Sequence, residues 1–308
     1  MNSKQRIFHI LKQHNCVVSG ETLSAELGIS RVSVWKHVRG LVQDGIAVQS
    51  SKQGYRLQPD ADGLHPFHFD AREERIHFFP ETGSTMDEAM LLARQGCPAF
   101  TVVVAQRQTR GRGRMQRSWA SADGGLFFTV VLRPAVPLLL SGLVNLAAAV
   151  DMAGILISTY GVEAGVKWPN DILVNGKKIC GILSQMEAEG DQVAHLNIGM
   201  GLNVNNSPEQ EQPMAVSLSS LLKRKVPRRQ ILTAFLDVFE QRMRAWDTGR
   251  VLTQWKSCNV TLGKRVRVET LRQTVEGMAV DLDDHGGLIL EMEDGAMRTV
   301  VHGDCFHE

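Results

Sequence analysis

Glycine and arginine alternate in the stretch Gln108-Thr109-Arg110-Gly111-Arg112-Gly113-Arg114-Met115-Gln116-Arg117-Ser118-Trp119, directly after an apolar run. Glycines let backbone N–H groups approach an anion closely, and arginines add fixed positive charge with forked donors. Such a loop suits a carboxylate or a phosphate. Composition alone leaves a nucleic-acid patch or a solvated loop equally open. A second stretch, Lys167-Trp168-Pro169-Asn170-Asp171, leads into an Asn175-Gly176 turn and then Lys177-Lys178-Ile179-Cys180-Gly181-Ile182-Leu183. Lys178 begins the return strand of a tight hairpin, where a rigid ladder can hold an ammonium against a reacting carboxylate or phosphate. Taken alone, a lysine beside such a turn is ordinary surface, and Trp168-Pro169 is packing. Third, Ile198-Gly199-Met200-Gly201-Leu202-Asn203 ends a strand with glycines where a ring can approach the backbone. Fourth, Gly83-Ser84-Thr85 precedes a helix, and its plain reading is a cap. No G-x-x-x-x-G-K-[ST] spacing occurs, which excludes a P-loop, and the G-x-G fragment lacks the third glycine of a dinucleotide fingerprint.

The elements that must position these groups follow from periodicity. Ile7, Ile10 and Leu11 fall at helical spacing, and Leu23, Ala25 and Leu27 end at Gly28. Ser30 caps a third helix with Val34, Val38, Leu41 and Val42 on its apolar stripe. Ile46 to Leu57 alternates around Lys52-Gln53-Gly54, a hairpin, and three helices plus a hairpin make a winged helix-turn-helix. Pro59 to Pro66 has linker composition. Beyond it come a strand at Arg75 to Phe79, a helix at Thr85 to Gln95, and strands at Thr101 to Ala105 and Leu126 to Leu132. A long buried helix follows at Leu138 to Tyr160, then a hairpin of Ile172 to Val174 with Ile179 to Gln185, and a strand at Leu196 to Val204. Asn205 to Arg229 reads as a loop with a short helix around Leu218 to Leu222, before a helix from about Arg228 to Trp246. Strands at Arg265 to Glu269, Met278 to Leu282, Leu288 to Glu291 and Arg298 to Val301 read as a small β-barrel. The class expected is α+β, with an N-terminal winged helix-turn-helix (1–63), a central α+β domain with a mixed sheet (64–258) and a C-terminal SH3-like barrel (259–308).

The 308 residues suit two or three modules. Lys plus Arg number 34 against 33 Asp plus Glu, so any polyanionic partner must be met by a local patch. Cys16, Cys97, Cys180, Cys258 and Cys305 are widely spaced and never form C-x-x-C, a pattern that fits a reducing cytoplasm and argues against a disulfide framework or a metal site. The apolar run Leu138 to Ile157 holds Asn145 and Asp151 and reads as a core helix, so no membrane is expected as a partner.

Taken in order, the four stretches resemble one family, the biotin protein ligases, in the bifunctional form that also represses the biotin operon. That family carries a Gly-Arg-Gly-Arg loop, a Lys-Trp-Pro-Asn-Asp segment, a following Lys with Gly-Ile-Leu, and a Gly-x-Gly-x-Asn turn, and all four stand here. The resemblance covers nearly the whole chain. It implies that biotin attacks the α-phosphate of ATP, with Mg²⁺, to give biotinoyl-5′-AMP, and that a lysine of a biotin carboxyl carrier protein, as in acetyl-CoA carboxylase, then takes the acyl group. It also implies that Ser84, Thr85, Gln108, Gly111, Arg112, Gly113, Arg114, Lys178, Gly181 and Gly199 bind biotin, with Arg114 and Lys178 catalytic. Trp119, Lys167, Asn170, Asp171 and Asn203 fall where the family binds or supports the nucleotide. In the first module it implies a recognition helix with Arg31, Ser33, Trp35 and Lys36 toward operator DNA, and a homodimer on paired half-sites. Three departures stand out: Met86 replaces the usual Asn after Ser-Thr, Met115 and Gln116 replace a further Arg and Gly, and the 205–219 loop lacks a tryptophan. A repressor without ligase activity and a lipoate-type ligase remain the competing readings.

Overall fold

The computed structural model describes residues 2–134, 137–190, 192–270 and 272–307. It divides into two compact units, Met1–Ile76 and His77–Glu308.

The first unit packs helices α1 (Ser3–His14), α2 (Gly20–Leu27) and α3 (Arg31–Gln43) around Ile7, Phe8, Leu11, Leu23, Val34, Val38 and Leu41. Asn2, Ser19 and Ser30 each cap a helix, their side chains accepting from Gln5, Thr22 and Ser33 backbone N–H groups. Strands β1 (Val48–Ser51) and β2 (Gly54–Leu57) pair antiparallel as the wing. Only glycine fits at 54, because φ is +144° and a Cβ there would lie 2.1 Å from the Val18 carbonyl oxygen. The stretch expected as a linker leads into two 3-10 turns, Pro66–His68 and Asp70–Arg75. Leu64, Phe67 and Phe69 are buried, and the Phe67 ring stands 5.3 Å from that of Phe8. Pro and Gly announced a break there, but the aromatic pair that follows has apolar surface to bury.

In the second unit β3 (Ile76–Thr82), α4 (Thr85–Arg94), β4 (Thr101–Gln108), β5 (Leu126–Leu132), α5 (Ser141–Tyr160), β6 (Ala164–Lys167), β7 (Asp171–Val174), β8 (Lys177–Glu189) and β9 (Gln192–Leu202) come in that order. They give a seven-stranded sheet, β3-β4-β5-β9-β8-β7-β6. The β4-β5-β9-β8-β7-β6 pairings are antiparallel. Thr109 N–H donates to Thr82 C=O and Arg110 N–H to Gly83 C=O, so β3 and β4 advance together, and the sheet is mixed as expected. The two sheet faces are told apart by alternation along β5. Val131 packs under Ala89 and Ala93 of α4, whereas Phe128 meets Phe235 of α7 (Arg228–Arg244) on the far side. There α5, mostly buried, lies against α7 and α8 (Thr248–Cys258), with Arg242 forked onto the buried Asp151. A short α6 (Leu218–Leu222) precedes α7. β10 (Arg265–Glu269), β11 (Thr274–Leu282), β12 (Leu288–Glu291), β13 (Met297–Val300) and β14 (Asp304–His307) form a second sheet, β13-β12-β11-β10-β14. Its β13-β12, β12-β11, β11-β10 and β10-β14 pairings are antiparallel, an order compatible with a small barrel.

Candidate active site

The loop between β4 and β5 folds back on itself. Trp119 N–H donates to Gly111 C=O at 2.8 Å and Gly113 N–H to Arg117 C=O at 2.7 Å, while Met115 and Gln116 take left-handed backbone at φ +49° and +62°. A Cβ on Gly111 would sit 2.3 Å from the Trp119 carbonyl oxygen, so the alternating glycines are what lets the two arms close. The closed loop drops over the α4 face of the sheet and walls a cavity of about 300 Å³.

Ser84, Thr85, Gln108, Arg112, Gly113, Arg114, Trp119, Lys167, Asn170, Asp171, Lys178, Gly181 and Gly199 all line that one cavity. Two expected residues do not. Gly111 serves the loop closure, and Asn203 is buried beyond the wall, where its Oδ1 accepts from Asn206 Nδ2 at 2.9 Å. At the closed end, Gln108 Oε1 accepts from both Thr85 N–H (2.7 Å) and Thr85 hydroxyl (3.0 Å), and Gln108 Nε2 donates to Ser121. Ser84 is indeed the cap of α4, accepting from Met86 N–H, and it lines the cavity as well. Arg112 turns outward to Asp87 at 2.6 Å.

The cations converge at the open end. Arg114 donates to Asn170 Oδ1 at 3.2 Å and to the Gly303 carbonyl at 3.1 Å, with Asp304 at 3.9 Å. Burial works against its charge, and Asp304 and Asp171 favour it. Lys178 Nζ pairs with Asp171 at 2.7 Å and stands 5.2 Å above the Trp119 ring. That ring lies flat on the sheet over two glycines: a Cβ on Gly201 would be 2.3 Å from Trp119 Nε1, and one on Gly181 2.7 Å from its Cζ3. The backbone of Lys178 is bracketed by the loop before α6, Lys178 N–H donating to Met214 C=O and Val216 N–H to Lys178 C=O. In this loop, which lacks a tryptophan, Met214 is exposed and Leu218 buried. Trp168 is a buried anchor, donating through Nε1 to Gly286 C=O of the second sheet.

Arg117, Gly201, Asp304, Cys305 and Phe306, which the sequence alone did not mark as site residues, also line the cavity. Arg117 and Gly201 sat inside stretches already singled out. Asp304, paired with Arg117 at 2.5 Å, had no local signal, since only the second sheet's docking brings β14 to the loop. In the first unit Arg31, Trp35 and Lys36 are exposed on α3, Trp35 under the Arg39 guanidinium at 5.5 Å. Ser33 is half-buried and engaged with the Ser30 hydroxyl.

Comparison with known proteins finds relatives of both units. Residues 79–203 match the biotin/lipoate A/B protein ligase family, 261–308 the biotin protein ligase C-terminal domain, and 4–56 a helix-turn-helix domain. The chain is 36% identical over 296 residues to the bifunctional ligase/repressor BirA of Bacillus spizizenii, covering 91% of each. It is 35% identical to the biotin–[acetyl-CoA-carboxylase] ligase of Mycobacterium tuberculosis over 74% of this chain and 86% of that one. Among solved structures, the biotin protein ligase of Aquifex aeolicus in complex with biotin and ATP superposes with a TM-score of 0.65 at 26% identity, over 76% of this chain and 98% of that one.

Proposed function

The chain belongs to the family of biotin protein ligases with a repressor module, and from that membership we propose that it activates biotin with ATP, passes it to a carrier lysine, and represses transcription in response. The observation that carries the reading is the convergence of Arg114, from the loop after β4, and Lys178, from β8, on one glycine-floored cavity.

The chemistry needs charge control. A biotin carboxylate must meet the α-phosphate of ATP, and two anions repel unless fixed donors stand between them. Lys178, steadied by Asp171 and Trp119, is placed to hold the carboxylate oxygen against phosphorus. Arg114, held by Asn170 and Gly303, covers the developing phosphate charge and then the mixed anhydride. Attack forms the C(O)–O–P bond, and pyrophosphate leaves. The lysine amine of the carrier next attacks the acyl carbon, and AMP departs. Ser84, Thr85 and Gln108 face the ureido end, and the sheet at Gly181 and Gly199 lets rings lie against backbone. Among the described residues no group of three His, Cys, Asp or Glu side chains is disposed around a metal. Mg²⁺ carried by the ATP phosphates would offset their charge, and Asp171, paired with Lys178 at 2.7 Å, is the cavity carboxylate that would help hold it.

In the first unit α3 enters a major groove with Arg31, Trp35 and Lys36, while Lys52 and Arg56 of the wing touch phosphates. So few cations bind weakly singly, so the working form is a homodimer on paired half-sites in the cytoplasm. The test is mass spectrometry of the small molecule retained after incubation with ATP, Mg²⁺ and biotin, together with labelling of a carrier-domain lysine. Biotinoyl-5′-AMP and a labelled lysine are expected. Biotin-dependent DNA binding with neither product would leave a sensor without ligase activity, and preferential use of lipoate would move the chain to that branch.

A further inference from the structure

Just beyond the closed end of the cavity lies a polar side chain that the fold leaves unanswered. Asn197 of β9 is fully buried, and neither its Oδ1 nor its Nδ2 has a hydrogen-bond partner among the described residues. Side chains alternate along a strand, so Asn197 shares a sheet face with Gly199 of the cavity, two residues on. In register it stands between Val131 of β5 and Gln185 of β8, one row behind Thr129, Gly199 and Leu183, which line the cavity. α4 packs across this row through Ala89 and Ala93. A valine or isoleucine would suit such a place, and an unpaired amide there costs stability.

Met86 stands at the boundary. Its Cε lies over Gly199, 2.8 Å from where a Cβ on that glycine would be, and a thioether with three rotatable bonds is well able to swing aside. The acceptors already at this end are engaged. Gln108 Oε1 takes two hydrogen bonds from Thr85, Ser84 Oγ takes one from Met86 N–H, and Thr85 Oγ1 takes one from Thr129. A cyclic urea brings two N–H donors beside one carbonyl, so it needs acceptors as well as a donor, and Asn197 offers one of each unspent.

We infer that Asn197 is a specificity-determining residue for the polar head of the bound acid, pairing with a cyclic urea once Met86 moves off Gly199. This rests on the ligase reading above.

The test uses the full-length chain and biotin-dependent exchange of pyrophosphate into ATP. Asn197→Val should raise the KM for biotin about tenfold with kcat within about twofold, while the ligand-free thermal midpoint holds or rises, because a buried unpaired amide has been removed. Asn197→Ser, which stays polar but loses reach, should raise KM in the same way and is read if the valine variant fails to fold. Biotin methylated on one ureido nitrogen should be the poorer substrate for the wild type, and that gap should narrow in Asn197→Val. Unchanged KM in the variants, or an unchanged gap, assigns Asn197 to the fold alone and overturns the inference. A wild-type chain inactive with biotin overturns the ligase reading itself, and this inference with it.

Discussion

Lys178 is held on three sides, by Asp171 at 2.7 Å, by the Trp119 ring, and by backbone hydrogen bonds to Met214 and Val216. Its side chain is still 30% exposed, so the ion pair contributes little to folding, and the cost of removing it should fall on chemistry. Lys178→Ala is expected to lower adenylate formation by about 10²–10³-fold, as loss of one fixed transition-state donor does, with a thermal midpoint close to wild type. Retention of full pyrophosphate exchange would remove the role. The glycines of the cavity floor make a graded prediction. Alanine at 201 would drive a Cβ into the indole of Trp119 at 2.3 Å, whereas alanine at 199 meets the movable end of Met86 at 2.8 Å. Gly201→Ala should therefore raise KM for ATP or biotin more than Gly199→Ala does, by isothermal titration or steady-state kinetics. The alternation of glycine and arginine from Gly111 to Arg114 marked a loop suited to an anion by residue type, with a solvated loop or nucleic-acid patch equally open, and its place on the cavity wall came only from the fold. Which glycine lies under which ring was not, since Gly201 is placed by strand register and Trp119 by loop closure.

At the scale of elements, strong apolar patterns were read close to their observed bounds: β5, α5, the hairpin at Asn175-Gly176, and the three N-terminal helices. The elements missed were those whose burial comes from neighbours. β6, Ala164–Lys167, is four residues long, α8 buries only Val251 and Trp255, and β14 follows the last run of clear alternation. β14 matters most for the site, since Asp304 braces both Arg117 and Arg114. Asp304→Ala should free the loop and lower kcat/KM for adenylate formation by about 10-fold, a cost typical of a misplaced rather than absent catalytic group. If kinetics are unchanged, the second sheet is not positioning the loop. The same strand carries a pH effect. Burial first, then Lys167 and Lys264, push His307 down from 6.5 to about 4. A histidine depressed in the folded state stabilises it above its ordinary value, and that stabilisation is lost as pH falls from 6.5 toward about 4. His307 is half-buried, so solvent moderates the size. His307→Gln should show a smaller fall in melting temperature than wild type between about pH 7.5 and about pH 4.5, and an equal fall would assign the acid limb to other groups.

At the scale of the molecule, 34 basic against 33 acidic residues give no hint of a polyanion partner, so DNA binding has to rest on α3 and the wing of the first unit. Trp35→Ala and Lys36→Ala should weaken operator binding and, for Lys36, reduce its salt dependence by about one phosphate contact, with adenylate formation untouched. We propose that linkage couples the chemistry of one unit to the DNA affinity of the other. An adenylate that binds the dimer-competent state better must shift assembly toward it by the same factor that assembly strengthens adenylate binding. A coupling of about 1–3 kcal/mol would move the dimer constant by about 5- to 150-fold, enough to decide whether paired half-sites are filled at a given protein concentration. Sedimentation equilibrium of the full chain with ATP alone, with biotin alone and with both is expected to show dimers only, or most, where the adenylate forms, and Lys178→Ala should abolish that difference. Equal dimerisation in every condition would mean that assembly does not sense the ligand and that repression, if present, tracks protein concentration instead.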